Sequence, residues 1–142
     1  EISKEKFVHI GNHSHTHDYL VDKTDAEISN DINLAKKEFK KNLGYNSPFF
    51  SYPFGEYSNN FKNIVKSSDF KYAFGQHSGV ADETKDFYEL PRFAINEKYG
   101  ERKRFELILK TIPLKFKSIT PTEKYINNAD NPPKIIIEFL GI

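Results

Sequence analysis

Three of the chain's five histidines fall within Gly11-Asn12-His13-Ser14-His15-Thr16-His17. His13 and His17 are four positions apart, so a helical or tightly turned backbone presents them on one side. Two imidazoles offered together are half of a transition-metal site, which normally takes three protein ligands when it is catalytic. The competing reading is a polar surface turn in which histidines happen to cluster. The apolar run Phe7-Val8-His9-Ile10-Gly11 directly ahead favours the metal reading, because it resembles a buried strand feeding a loop.

The elements that must position this loop can be read in order. Thr24-Asp25-Ala26-Glu27 is a capping-box signature, in which Thr24 accepts from a backbone N–H three residues on and Glu27 reaches back. Behind it Ile28, Ile32, Ala35, Phe39 and Leu43 recur at helical spacing, with Asp, Asn and Lys between them, and Gly44 is suited to a left-handed cap. The expectation is a helix over 25–43. Phe49-Phe50-Ser51-Tyr52 reads as a strand ended by Pro53 and Gly55. Ser58 is placed to cap a helix over about 59–68. Residues 70–74 and 88–95 read as further strands, with Pro91 marking an edge or a start. Residues 101–111 have helical spacing up to Pro113. Such alternation predicts an α/β fold with a mainly parallel sheet, whose chemistry gathers on loops at the carboxyl ends of strands. The histidine loop, the Pro53 loop and the Gly75 loop all leave such ends. From 114 to 142 short β-rich runs separated by prolines read as an extension distinct from 1–113, too short for a core of its own.

Composition narrows the function classes. A chain of 142 residues with 37% hydrophobic and 15% aromatic residues is one domain by length and has the apolar surface for a core. The net charge of +1 carries no footprint for nucleic acid. No apolar run reaches the length of a membrane span. The absence of cysteine excludes thiolate chemistry and disulfides. The amino terminus shows neither Met nor a signal-peptide pattern, so a processed or truncated piece is expected.

Four stretches, taken together, resemble the polysaccharide deacetylases, the NodB-homology domain of carbohydrate esterase family 4. His13-Ser14-His15-Thr16-His17 matches the family's His-Ser/Thr-x-x-His motif. Phe50-Ser51-Tyr52-Pro53-Phe54-Gly55-Glu56-Tyr57 resembles its next motif, built on a Pro-aromatic pair. Phe74-Gly75-Gln76-His77-Ser78-Gly79 and Leu90-Pro91-Arg92-Phe93-Ala94-Ile95-Asn96-Glu97 follow in the order of the branch similar to biofilm poly-β-1,6-N-acetylglucosamine deacetylases. The likeness covers about residues 1–112. It implies a partial distorted (β/α) barrel with a β-rich appendage, and metal-dependent N-deacetylation of an N-acetylglucosamine polysaccharide outside the cytoplasm.

By that resemblance His13 and His17 would bind a divalent metal, zinc first with cobalt or nickel as alternatives, together with an aspartate. A second aspartate would act as general base and a histidine as general acid. The backbone N–H of Phe54, following Pro53, would stabilise the oxyanion. The family's paired aspartates sit upstream of the histidine motif, and this chain contains no Asp-Asp pair. The expectation is therefore half a catalytic site, its other half on a missing amino-terminal segment, with Asp18 a substitute ligand to weigh. Arg92 is a candidate to orient a carboxylate, in place of the arginine usual near Pro53. His77 is a candidate substrate contact or acid, against a plain loop residue. Tyr52 and Tyr57 are candidates to stack on sugar rings, against simple packing. His15 is expected to be structural or exposed, and His9 to be a satisfied core histidine or one supporting a ligand. A non-catalytic carbohydrate-binding relative and a structural envelope fragment are the rival functions.

Overall fold

The Thr24 cap forms as its residue types require. In the computed structural model, which describes residues 2–113, 116–120 and 134–139, Thr24 Oγ1 accepts from the Glu27 N–H while Glu27 Oε2 accepts from the Thr24 N–H at 2.9 Å. Helix α1 runs Asp25–Leu43, and Gly44 closes it at φ 81°, where a Cβ would be penalised. Ser58 accepts from the Phe61 N–H at 3.1 Å and opens α2, Asn59–Ser67.

Two short strands, β1 (Phe49–Ser51) and β2 (Tyr72–Phe74), pair in parallel with Phe50 opposite Ala73. Single parallel bridges extend the sheet on both sides, Asn12 to Phe50 and Phe74 to Leu90. Because strand side chains alternate, Phe50 and Ala73 share one face. That face is buried against Ile28 and Ile32 of α1 and Phe61 and Val65 of α2. Phe49, Ser51 and Phe74 face the other way, where with His9, Gly11 and Arg92 they line a cavity of about 310 Å³. The architecture is α/β with a small parallel sheet, which among the described residues does not close into a barrel.

Several expected elements are shorter than their spacing implied. Residues 7–10 form no strand: Phe7 is 86% exposed, and pairing begins only at Asn12, whose N–H donates to Phe49 O at 2.8 Å. His9 is accordingly exposed, touching the ring of Phe49, and is not the core histidine expected. Within 88–95 only Leu90 bridges. Pro91 has no N–H to continue the ladder, and the Arg92 N–H donates to His77 O at 3.1 Å. Lys62 of α2 instead holds the approach to this segment, donating to Asp86 at 3.0 Å and to Glu89. Helix α3 spans Arg102–Leu109 with no buried residue, so its apolar positions 105, 107 and 109 are exposed.

The chain divides into two compact units, Glu1–Thr111 and Ile112–Ile142. In the second, β3 (Phe116–Thr120) pairs antiparallel with β4 (Ile136–Phe139), Thr120 opposite Ile136. The proline stretches at 121 and 132–133 lie outside the described residues.

Candidate metal-ligand pair and its surroundings

The histidine loop leaves the sheet immediately after Asn12, which is locked into β1 from both sides: its N–H donates to Phe49 O and its carbonyl accepts from the Ser51 N–H, each at 2.8 Å. The backbone then turns through two non-glycine residues in the left-handed region, Ser14 at φ 66° and His17 at φ 57°. Local bonds hold this turn. The buried Asn12 side chain accepts from the Ser14 N–H at 3.2 Å, and Ser14 Oγ accepts from the His17 N–H at 3.0 Å. Asp31, on the buried side of α1, accepts from the His15 N–H at 2.9 Å, the Thr16 N–H at 3.0 Å and the Thr16 hydroxyl at 2.8 Å. A left-handed residue costs about 1–2 kcal/mol, whereas a hydrogen bond to a charged group contributes about 1.5–3 kcal/mol. Three bonds to one carboxylate outweigh two strained residues.

The outcome is that His13 and His17 meet, ring centroids 4.9 Å apart and edge to face. His13 Nδ1 lies 2.7 Å from Ser51 O. A carbonyl only accepts, so Nδ1 carries the proton and the Nε2 lone pair is left for another partner. Both histidines are exposed. By donor chemistry two adjacent imidazoles fit a divalent transition metal, for which they could hold two of the ligand positions. Among the described residues no three His, Cys, Asp or Glu side chains converge as a complete metal site. Asp18 is exposed, and its N–H donates to Thr16 Oγ1 at 3.3 Å.

The Pro53 loop comes against this pair. Gly55 N–H donates to Tyr52 O at 2.9 Å, closing a turn with Pro53 at its second position and Phe54 at its third. Phe54 has φ 58° and ψ 0°, the geometry of a type II turn, where glycine or asparagine is usual. That conformation sends the Phe54 ring outward, 51% exposed, to 4.7 Å from the His17 ring. The turn's bonds are donated by Gly55 and Glu56, so the Phe54 N–H takes part in neither. Gly55 is required as well: a Cβ there would stand 2.2 Å from that of Gln76. Beside Phe54, the hydroxyl of the exposed Tyr19 donates to Glu56 at 2.7 Å, which holds the phenol above its usual range.

The remaining candidates are placed differently. Tyr52 is fully buried, packed against Phe50 and Phe61, and its hydroxyl donates to Tyr88 O at 3.0 Å. Burial pushes that hydroxyl far above its usual range. Tyr52 therefore has no ring face for a sugar; it is a core residue, contrary to its reading as a substrate contact. Tyr57 is half-buried and stacks on Tyr52 at 4.7 Å. Arg92 Nε donates to Gly75 O at 2.7 Å, and the residue shares the 310 Å³ cavity with Ser51. His77 and His15 are exposed. Asn12 and Asp31 escaped the sequence reading. Asp31 carried one signal, a carboxylate three residues after Ile28 and four before Ala35, inside the apolar stripe.

A family model described as polysaccharide deacetylase matches residues 1–73. No curated protein matches the chain by sequence. Among solved structures it is similar to the deacetylase PplD of Streptococcus pyogenes in complex with acetate, with TM-score 0.64 and 18% identity over 71% of this chain and 44% of that one. IcaB from Ammonifex degensii matches with TM-score 0.58 and 15% identity over 71% of this chain and 46% of its own. BC0361, a polysaccharide deacetylase from Bacillus cereus, matches with TM-score 0.61 and 18% identity over 72% and 32% respectively. The chain thus spans less than half the length of each of these structures, and the likeness establishes a shared NodB-type fold.

Proposed function

Because the chain belongs to the polysaccharide deacetylase family, we propose that residues 1–111 carry part of the active site of a hydrolase removing acetyl groups from N-acetylglucosamine units of a polymer. One observation supports the site above all. His13 commits Nδ1–H to the Ser51 carbonyl, which leaves its Nε2 for a ligand, and its ring meets that of His17, which in turn meets the Phe54 ring. A backbone carbonyl on the far nitrogen is the usual support of a metal-ligating histidine. His13 and His17 would hold a divalent metal, zinc first and cobalt or nickel as alternatives, with a carboxylate from outside the described residues. When bound, such an ion supplies Lewis acidity to an acetamide carbonyl and lowers the pKa of a water.

The chain's own groups have separable tasks. The Phe54 N–H, unused by the turn that fixes it, would donate to the acetamide oxygen as it gains charge. A donor fixed in advance needs no reorganisation at that moment. Pro53 supports it by fixing its own φ in the turn. Arg92 spends only Nε on Gly75 and keeps its terminal nitrogens to orient a carboxylate base. His77 would protonate the departing amine. The exposed Phe54 and Tyr19 rings, with the Tyr19–Glu56 pair, offer apolar faces and polar tips of the kind a sugar ring uses. Tyr57 would contribute only through its exposed part. A distorted barrel for the whole domain, a place in the biofilm-polymer branch on the strength of the Leu90–Glu97 motif, and action outside the cytoplasm belong to the same proposal.

Acetate release from poly-N-acetylglucosamine by the native polypeptide carrying this sequence tests it. His13→Ala should abolish release while circular dichroism stays unchanged. Unchanged release from that variant would remove the assignment.

A further inference from the structure

Asp31 lies on a helix and belongs to none of the four motifs, yet its carboxylate accepts three hydrogen bonds from the histidine loop. It is 6% exposed. Both carboxylate oxygens are spent on the loop: Oδ1 on the His15 N–H, and Oδ2 on the Thr16 N–H and hydroxyl. These donors belong to the two residues that lie between Ser14 and His17, the two left-handed positions. The intervening segment is thus tied to α1, which is anchored in the core by Ile28 and Ile32. At the other end, Asn12 ties the loop to the sheet. The backbone carrying His13 and His17 is therefore pinned both ahead of its strained residues and between them.

Resting on the metal reading above, we infer that Asp31 is the positioning residue of the His13–His17 pair. Its carboxylate holds the loop in the conformation that presents two imidazoles to one divalent cation. It is not a ligand, because its oxygens are occupied by backbone and hydroxyl donors. An ionised carboxylate suits this task, since all three partners are donors and neither oxygen faces an acceptor. An amide in its place would set an N–H₂ against donors on one side. A wrongly supported ligand pair costs metal affinity without touching the ligands themselves, typically about 10- to 100-fold.

The test is zinc titration of the native polypeptide carrying this sequence, labelled with ¹⁵N-histidine, reading the His13 and His17 ring nitrogens by NMR. In the unmodified polypeptide His13 should show the Nδ1–H tautomer before zinc is added, and both histidines should shift together as it is added. Asp31→Asn should weaken zinc about tenfold or more and degrade the His13 tautomer signature. Thr16→Val, which deletes one donor at constant shape, should weaken zinc by a smaller factor and carries the test if Asp31→Asn does not fold. Ile32→Val lowers stability from the same helix turn and should leave zinc affinity unchanged. Affinity and tautomer both preserved within about twofold in Asp31→Asn would overturn the inference, being far short of the loss expected of a support. An unmodified native polypeptide whose His13 and His17 ignore zinc would overturn the metal reading. The inference would stand or fall separately on the zinc-free tautomer readout.

Discussion

Phe54 offers a sharp check, because its backbone makes an uncommon demand that two substitutions can isolate. It sits at φ 58° with a half-exposed ring that, among the described aromatic side chains, meets His17 and Tyr19. Phe54→Ala and Phe54→Gly both delete that ring, so the lost contacts cancel in the comparison. What remains is the backbone. Alanine in the left-handed region costs about 1–2 kcal/mol relative to glycine. Glycine in turn loses about 0.4–1 kcal/mol more to the entropy of the unfolded chain. The balance favours glycine by about 1 kcal/mol, or about 4–8 °C in melting temperature for a unit of this size. At an ordinary negative φ the order reverses, with alanine ahead by about 0.5–1 kcal/mol. Thermal melts of the two variants by circular dichroism, with urea midpoints as a second measure, decide it by sign alone. An alanine variant melting at or above the glycine variant would refute the left-handed turn, and with it the outward presentation of the Phe54 ring beside His17.

Two further outcomes follow from the same geometry. Tyr52→Phe keeps the buried ring but leaves the Tyr88 carbonyl without its donor, so it should cost about 1–2 kcal/mol in urea unfolding while leaving KM for the polymer unchanged; a raised KM with unaltered stability would return Tyr52 to the substrate face. Asp86 accepts from the Tyr88 N–H and from Lys62, which hold its carboxyl below the ordinary range. Its stabilising contribution is complete above the unfolded value of about 3.9 and is lost as pH falls through the lower folded value. Stability should therefore drop below about pH 4, and Asp86→Asn should flatten that part of the profile.

Much of the molecule is legible in the sequence because the determinants are local. The Thr24–Glu27 box, the Gly44 cap and the Ser58 cap each close within four residues, so composition and spacing suffice to bound α1 and α2 closely. The Pro53–Gly55 turn is written in its residue types, although the left-handed conformation falls on Phe54 as well as Gly55. The pairing of His13 with His17 follows from their spacing. Tertiary structure decided the rest. Period-two and period-3.6 patterns say which side of an element is apolar, and not what faces it. For that reason residues 7–10 looked like a buried strand, and Tyr52, a candidate because it is aromatic and adjoins the Pro53 loop, could not be told from a core residue by its type. The support of the histidine loop was equally hidden: Asp31 acts across 15 and 16 positions of sequence, a separation at which no local rule operates. Sequence alone determined that two imidazoles would stand together. Only the packing of α1 against the sheet determined what holds them there, because a buried carboxylate bonds whatever donors the fold brings to it.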